Sequence, residues 1–297
     1  MVAMEKKRKN RNSVLSKIKR FLKVKYRRPV LNYLETHLVD HCNLKCKSCS
    51  HYSPLASEYY SDFNEYKKTL KLLSKKLTFK TIRLLGGEPL LHPQITKFLK
   101  CTRQFFPKSK ISIVTNGSLL KNMPEEFWQT CRESKISMDL SKYPPFYNQF
   151  EDFINLIQAK SVNITDIHDC EKMFVFHNPN LDSNPDISYK NCGIKRYKVL
   201  KGTKLYSCPK SAYINIYNEY FNLQKQKDEG IDIRCHSAKS IIDKIFKANS
   251  ICKSCSYSAM QIQWDYSKSV QNEWNVIDEA EKIYAFQQFI LKEIEKK

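Results

Sequence analysis

Three cysteines lie close together near the start of the chain, in the stretch HLVDHCNLKCKSCSHYSPLA at residues 37–56. Cys42, Cys46 and Cys49 are separated by three and then two residues, with no fourth cysteine nearby. Thiolates bind soft or borderline metals, chiefly zinc and the irons of iron–sulfur clusters. A structural zinc ion needs four protein ligands, whereas three cysteines can hold a four-iron cluster and leave one iron open. The spacing therefore favours a cluster whose open iron takes a small ligand.

The turn Gly86-Gly87-Glu88-Pro89 follows a predicted strand and is suited to holding such a ligand. Paired glycines let the backbone approach a ligand closely, and the Glu88 carboxylate can accept hydrogen bonds from an ammonium group. Taken alone, this sequence is equally typical of an ordinary turn after a strand.

Short strand-like runs alternate with helical runs from residue 31 to residue 178. Strands are predicted at 33–40, 81–85, 111–115, 136–140 and 162–168, and helices at 66–77, 95–106, 124–134 and 146–159. This alternation indicates βαβ units and a parallel sheet. Because crossovers are right-handed, the loops after the strands gather at one edge. We therefore expect the cysteine loop, the Gly-Gly turn and Thr115-Asn116-Gly117 to meet there.

A second group of cysteines follows a turn-rich segment at residues 178–186. Cys192 and Cys208 flank a predicted hairpin about Gly202, and Cys252 and Cys255 form a Cys-x2-Cys pair. Four thiolates at this spacing indicate a metal site, occupied either by a structural zinc ion or by an iron–sulfur cluster.

The eleven cysteines are an odd number in a chain without an export signal. No run of eighteen apolar residues occurs, so neither a membrane-spanning helix nor a secretory signal is predicted. We expect a cytoplasmic protein whose cysteines bind metal or take part in catalysis rather than forming disulfides. Cys170 and Cys235 are spare, and either could replace a ligand of the second group. Cys101 and Cys131 fall inside predicted helices and should pack as small apolar residues.

The net charge of +21 is concentrated at the N-terminus, where residues 1–28 contain twelve Lys and Arg and one acidic residue. Apolar residues recur at helical spacing from Val14 to Leu22, which predicts a basic amphipathic helix. Such a helix packs on its own domain, lies on an anionic membrane surface, or contacts a partner protein or nucleic acid. The positive charge on the rest of the chain suits an anionic, phosphate-bearing substrate.

The motif Cys42-x3-Cys46-x2-Cys49 after the first strand, with Gly86-Gly87-Glu88-Pro89 after the second, resembles the radical S-adenosylmethionine (SAM) enzymes. The resemblance covers residues 33–178 and implies an α/β fold, a partial (β/α)6 barrel of the TIM type, at residues 31–178. It implies that the three cysteines hold a [4Fe–4S] cluster whose open iron is chelated by the amine and carboxylate of SAM.

The same resemblance assigns the SAM-contacting residues. Gly86, Gly87 and Glu88 would contact the methionine amine, and Asn116 and Ser141 would lie near the methionine or ribose. Many family members carry an aromatic residue before the third cysteine, where this chain has Ser48. Stacking on the adenine is therefore left to His51 or Tyr52, or to no identified residue. His41, His51 and Tyr143 are candidates for facing the site, and the sequence identifies no general base.

The second cysteine group is similar to the twitch extension, a short relative of the SPASM domain. This implies an auxiliary [4Fe–4S] cluster ligated by Cys192, Cys208, Cys252 and Cys255. The predicted organisation is a leader at 1–30, the barrel at 31–178, the small cysteine-rich auxiliary domain at 179–260 and a helical segment at 261–297. A fully ligated cluster can accept an electron from a substrate radical, as in the family's dehydrogenases.

These resemblances predict an oxidoreductase acting on a sugar, cyclitol or nucleotide-linked sugar in a carbohydrate or surface-polysaccharide pathway. The expected electron donor is flavodoxin or ferredoxin, and the leader is a candidate for contact with the inner membrane surface. One alternative is a radical SAM maturase of a ribosomal peptide or protein. An alternative of another class is a basic, zinc-binding, nucleic-acid-binding protein, although the favoured reading expects no nucleic acid.

Overall fold

The computed structural model describes residues 28–276, and its central element is an open parallel sheet. Its strands are β1 (Val30–Val39), β2 (Thr78–Gly86), β3 (Lys110–Thr115), β4 (Ile136–Lys142) and β5 (Ile164–Asp169). The intervening helices are α1 (Phe63–Lys76), α2 (Ile95–Phe105), α3 (Glu125–Glu133) and α4 (Phe150–Ala159). Each strand pairs in parallel with the next one along the chain. The predicted βαβ architecture and the partial barrel, open rather than closed, are confirmed.

The sixth parallel strand comes from beyond residue 178. Strand β6 (Lys172–His177) follows β5 without a helix and pairs antiparallel with β10 (Cys255–Gln263), outside the main sheet. Strand β7 (Val199–Lys201) instead lies parallel beside β1. The sheet continues through β8 (Lys204–Tyr206) to β9 (Ile231–Asp232). The hairpin predicted about Gly202 is therefore present as β7 and β8, and it joins the barrel sheet.

Three further helices complete the C-terminal part: α5 (Pro185–Asn191), α6 (Pro209–Tyr220) and α7 (Ala238–Ile245). Strand β10 crosses the domain boundary predicted between residues 260 and 261. The burial of its residues partly alternates along the chain, as is typical of a strand. Residues 265–267 then lie against the cysteine loop, where Lys47 N–H donates to the Asp265 carbonyl at 2.9 Å. Residues 261–276 are thus not helical as predicted, apart from a short 3-10 turn.

Two predicted segments lie outside the described residues. They are the terminal helix at 277–297 and the basic leader, except for its last few residues. None of the helices between residues 28 and 276 has both the length and the apolar character needed to cross a bilayer.

The two parts of the chain share their packing. The main core joins β1–β4 to α1–α4, with Leu34, Leu70 and Phe98 almost fully buried. A second core places Tyr52, from the cysteine loop, against Tyr217 of α6. The C-terminal part therefore buries a residue of the cysteine loop and helps to hold that loop in place.

Candidate active site

A cavity of about 360 Å³ lies at the carboxyl ends of the parallel strands. Every residue predicted for the first cluster and for SAM lines it: Cys42, Cys46, Cys49, Gly86, Gly87, Glu88, Asn116 and Ser141. These residues come from the loops or ends of β1, β2, β3 and β4. The convergence expected from right-handed crossovers is therefore present.

The two glycines are required by the approach of the cysteine loop. A Cβ atom on Gly86 would lie 2.1 Å from the Val39 carbonyl oxygen, and one on Gly87 would lie 1.9 Å from the His41 carbonyl oxygen. Gly87 N–H donates to the Val39 carbonyl at 3.1 Å, so the two backbones are in direct contact. Any side chain at either position would separate β2 from the start of the cysteine loop.

The Glu88 carboxylate is buried and joins two of the loops. It accepts hydrogen bonds from the Thr115 hydroxyl at 2.7 Å and from the backbone N–H of Asn116 at 3.0 Å and of Leu90 at 3.1 Å. Burial raises the pKa of Glu88 to about 7, and these hydrogen bonds oppose the rise. Glu88 thus orders the turn after β2 as well as lining the cavity.

Asn43, which the sequence analysis did not single out, connects the cysteine loop to the loop after β3. Asn116 Nδ2 donates to Asn43 Oδ1 at 2.9 Å, and Asn43 Nδ2 donates to Ser118 Oγ at 2.8 Å. The position of Asn43, directly after Cys42, was the available signal. This network fixes the first thiol against the residue expected to contact SAM.

The three thiols of the loop are buried, which disfavours their ionised form, and hydrogen bonds from neighbouring groups oppose that effect. Burial raises the pKa of Cys42, Cys46 and Cys49. The Glu88 carboxylate raises the pKa of Cys42 further, and Cys49 raises that of both other thiols. A bound metal supplies the positive charge that such thiolates need. The donor set therefore fits a metal cofactor.

The type of donor at the two cysteine groups is what bears on the kind of metal they fit. Between residues 28 and 276, no three His, Cys, Asp or Glu side chains are arranged to hold a single metal ion. In an iron–sulfur cube each cysteine binds a separate iron, so the thiols need not converge on one point. The number and type of ligands in the two cysteine groups are compatible with that arrangement.

The second group also comes together in the structure. Cys192 follows α5, Cys208 caps α6 by accepting the Ser211 N–H, and Cys252 and Cys255 precede or begin β10. Burial raises the pKa of Cys252 to about 12, and the thiolates of Cys255, Cys208 and Cys192 each raise it further. Interaction among all four thiols identifies them as one group.

The two spare cysteines do not belong to this second group. Cys170 lines the first cavity and acts electrostatically on Cys46, whereas Cys235 is exposed in a turn after β9. The thiols that act on Cys252 are instead those of Cys255, Cys208 and Cys192. Cys101 and Cys131 are buried in α2 and α3, as predicted.

The aromatic residues predicted to face the site occupy different environments. His51 and Tyr143 line the cavity as predicted. His41 is not among the residues that line the cavity. Its Nδ1 instead accepts a hydrogen bond from the Tyr59 N–H at 3.2 Å. Tyr52 is also unavailable for stacking on a ligand, because it is buried in the second core. His51 is therefore the remaining candidate of the two for contact with the adenine.

The inner wall of the cavity contains charged residues that the sequence analysis missed. Arg83 on β2 pairs with Asp139 on β4 at 2.6 Å and lies 3.9 Å from Glu35 on β1. Tyr33 accepts a hydrogen bond from Arg83 and donates one to Glu35. Burial raises the pKa of Glu35 to about 7, while Arg83 and Tyr33 oppose the rise. The signal for this wall was a charged residue within each of three strands that are otherwise largely apolar.

Comparison with known proteins identifies similarity over the barrel. The profile of the Radical SAM superfamily matches residues 37–155. The GTP 3',8-cyclase of Microcystis aeruginosa is 32% identical over 114 residues, which are 37% of this chain and 35% of that protein. The GTP 3',8-cyclase of Clostridium botulinum strain Hall is 29% identical over 119 residues, or 39% and 37% of the two chains. This chain therefore spans about a third of the length of these curated relatives.

Two solved structures are similar in outline. BtrN in complex with AdoMet and 2-DOIA is 17% identical, covers 77% of this chain and 94% of its own, and has a TM-score of 0.47. Native anSMEcpe with bound AdoMet is 14% identical, covers 90% of this chain and 99% of its own, and has a TM-score of 0.49.

Proposed function

We propose that this chain, whose residues 37–155 are a domain of the radical SAM superfamily, is an oxidoreductase acting on a small polar substrate such as a sugar, a cyclitol or a nucleotide-linked sugar. Its family implies a [4Fe–4S] cluster and SAM. Cys42, Cys46 and Cys49 would ligate the cluster. The residues that would contact SAM are Gly86, Gly87, Glu88, Asn116 and Ser141.

The observation that supports oxidation is that residues next to cysteines of the second group line the same cavity as the three thiols of the first group. Pro209, which follows Cys208, and Ile194, two residues after Cys192, line the same cavity as the first group. When bound, the first cluster and SAM would supply a 5′-deoxyadenosyl radical able to remove a hydrogen atom from carbon, and a cluster held by the second thiol group would supply an electron acceptor. A substrate in the cavity lies beside the chain segments that hold that second group.

Glu35 is our candidate for the proton acceptor. Its Oε2 is buried without a hydrogen-bond partner among the described residues, and its side chain lines the cavity. Oxidation of a secondary alcohol then balances, since a hydrogen atom leaves carbon, a proton leaves the hydroxyl for Glu35 and an electron leaves for the second group. A base with a pKa near the working pH is suited to this transfer.

The cavity favours a hydroxylated substrate over a nucleoside triphosphate. The curated relatives are named for their action on GTP, yet their similarity covers only the barrel. Among the described residues that line the cavity, Arg83 is the one Lys or Arg, and it is already paired with Asp139. A triphosphate needs several cations or backbone donors. A hydroxylated substrate can instead use Glu35, Arg83 and His168 as hydrogen-bonding groups.

The test begins with the protein purified and loaded with iron and sulfide under anaerobic conditions. Two four-iron clusters require about eight irons per chain. The dithionite-reduced protein is then incubated with SAM and with myo-inositol, glucose 6-phosphate, UDP-glucose or GTP in turn. We expect release of 5′-deoxyadenosine and a product two mass units lighter than one of the hydroxylated substrates. Flavodoxin or ferredoxin would supply the electron in place of dithionite.

Cysteine variants separate the radical chemistry from general damage. Cys46→Ala should abolish release of 5′-deoxyadenosine, whereas Cys235→Ala, at an exposed thiol outside both groups, should retain it. Absence of 5′-deoxyadenosine from the fully loaded, reduced protein would reject the radical reaction. A product of unchanged mass, including one made from GTP, would reject oxidation.

A further inference from the structure

Two lysines beside the second cysteine group are among the most deeply buried side chains of the described residues. Lys210, in the first turn of α6, has no exposed surface. Its ammonium group donates to the Ser254 carbonyl and faces the Cys255 thiol, with Cys208 and Cys252 also close enough to act on it. Lys210 therefore lies close to three of the four thiols and binds the carbonyl that directly precedes Cys255.

Lys198 also lies close to the second cysteine group. It is 2% exposed and donates to the carbonyls of Lys195 at 2.5 Å and Ser207 at 3.0 Å. The thiolates of Cys208 and Cys192 act on it electrostatically. Each lysine thus binds a carbonyl directly preceding a cysteine, Ser207 for one and Ser254 for the other.

The negative groups near these two buried lysines are unusual. Burying an ammonium group costs several kcal/mol unless it is paired with opposite charge. Between residues 28 and 276, no carboxylate pairs with Lys198 or Lys210, and the negative groups that act on them are thiolates. Apart from backbone carbonyls and the rings of Phe246 and Phe176, the second cysteine group is therefore the source of negative charge beside the two lysines among the described residues.

We propose that Lys198 and Lys210 are positioning residues that raise the reduction potential of the second cysteine group when it holds an iron–sulfur cluster. This inference rests on the auxiliary cluster of the proposed function. Four thiolates around such a cluster give a net negative charge that increases by one when an electron is accepted. Two fixed ammonium groups in a buried setting stabilise the more negative state, and so favour uptake of the electron from a substrate radical.

The experiment measures the midpoint potential of the second group alone. The full chain carrying Cys42→Ala, Cys46→Ala and Cys49→Ala is loaded with iron and sulfide and titrated anaerobically, with the reduced form followed by electron paramagnetic resonance. Lys210→Gln and Lys198→Gln are made in this parent, because Gln keeps a donor for the carbonyls and removes the charge. We expect each to lower the one-electron equilibrium constant by about tenfold or more, which is a fall of about 59 mV.

Lys253→Gln is the matched control. Lys253 lies between Cys252 and Cys255 in sequence, but it is exposed, so water and salt screen its charge. We expect its midpoint to remain close to that of the parent. Lys210→Arg, which keeps the charge, should also retain the parent potential if it binds iron.

The outcomes separate this inference from the proposed function. A parent that binds no four-iron cluster contradicts the auxiliary cluster itself. A parent and variants that all hold four irons with equal midpoints contradict only the role of the lysines, which would then merely tether the loops. If Lys210→Gln loses its iron, Lys198→Gln decides, and an unchanged midpoint there overturns the proposal.

Discussion

At the scale of single residues, Glu35 is the clearest case of a group whose environment suggests a task. It is buried in the cavity wall, and one of its carboxylate oxygens has no hydrogen-bond partner among the described residues. The charged or titratable groups that interact with it electrostatically are Tyr33, Arg83, Asp139 and Tyr213. A structural carboxylate would be expected to have both oxygens hydrogen-bonded. The unpartnered oxygen belongs to a side chain that lines the cavity, which is why Glu35 is our candidate for the proton acceptor.

We predict that Glu35→Gln lowers formation of the oxidised product about 100-fold or more, which is the usual contribution of a general base. Release of 5′-deoxyadenosine should continue, because the first cysteine group is untouched. Product and 5′-deoxyadenosine are quantified in the same reaction. Glu126→Gln, at an exposed carboxylate of α3, is the control and should change neither. Equal loss of both compounds would assign Glu35 to cofactor binding instead.

Glu35 also predicts a pH dependence of stability. Its pKa rises from 4.5 to about 7 on folding, so the neutral form is favoured in the folded protein. The associated stability is fully present below about pH 4.5 and is lost as the pH rises through 7, by up to about 3 kcal/mol. The thermal midpoint of the wild type should therefore fall relative to that of Glu35→Gln between pH 6 and pH 8. A constant difference between the two proteins would contradict the shift.

At the scale of elements, the contact between the end of β2 and the cysteine loop decides whether the first site forms. We predict that Gly87→Ala destabilises the protein by about 3 kcal/mol and reduces iron binding, because its Cβ would overlap the His41 carbonyl. Thermal melting and iron content measure both effects. Gly193→Ala is the matched control, since nothing lies within 4 Å of the added Cβ. Normal iron content in Gly87→Ala would show that the loop can move aside.

A second contact between elements ties the C-terminal part to the cysteine loop. Trp274 donates its indole N–H to the Cys49 carbonyl at 3.0 Å. Trp274→Phe should lose this hydrogen bond, worth about 1 kcal/mol, and should retain less iron at the first site. Trp128→Phe makes the same change in the barrel core, away from the cavity, and should melt earlier without losing iron. Parallel iron loss in both variants would mean that the effect is general.

The elements also show what the sequence could and could not predict. Strand β2 was predicted at 81–85 and spans Thr78–Gly86, because an apolar run ending in Gly-Gly is a strong local signal. Strand β7 has three residues and pairs with β1, more than 160 positions earlier. Because β7 is short and its partner is distant in the sequence, local periodicity could not predict that the two strands pair. The polar inner wall was missed for a related reason, since Glu35 and Arg83 meet only after the sheet has formed.

At the scale of the whole molecule, one open sheet connects the loop of the first cysteine group to the hairpin that precedes Cys208. The first group follows β1 directly, and Cys208 lies two residues after β8 in the hairpin that pairs with β1. The predicted auxiliary domain is therefore not an independent module hinged to the barrel. Its first strand is part of the barrel's own hydrogen-bonded sheet, and its helix α6 packs on the cysteine loop.

The attachment of β7 to β1 has a consequence for how such a chain can change over time. Backbone hydrogen bonds, which depend little on side-chain identity, hold the spacing between the two groups of sulfur ligands. Side chains around the cavity can be exchanged to admit new substrates while that spacing stays constant. Diversification of specificity and retention of the cysteine framework are then separable within a single polypeptide.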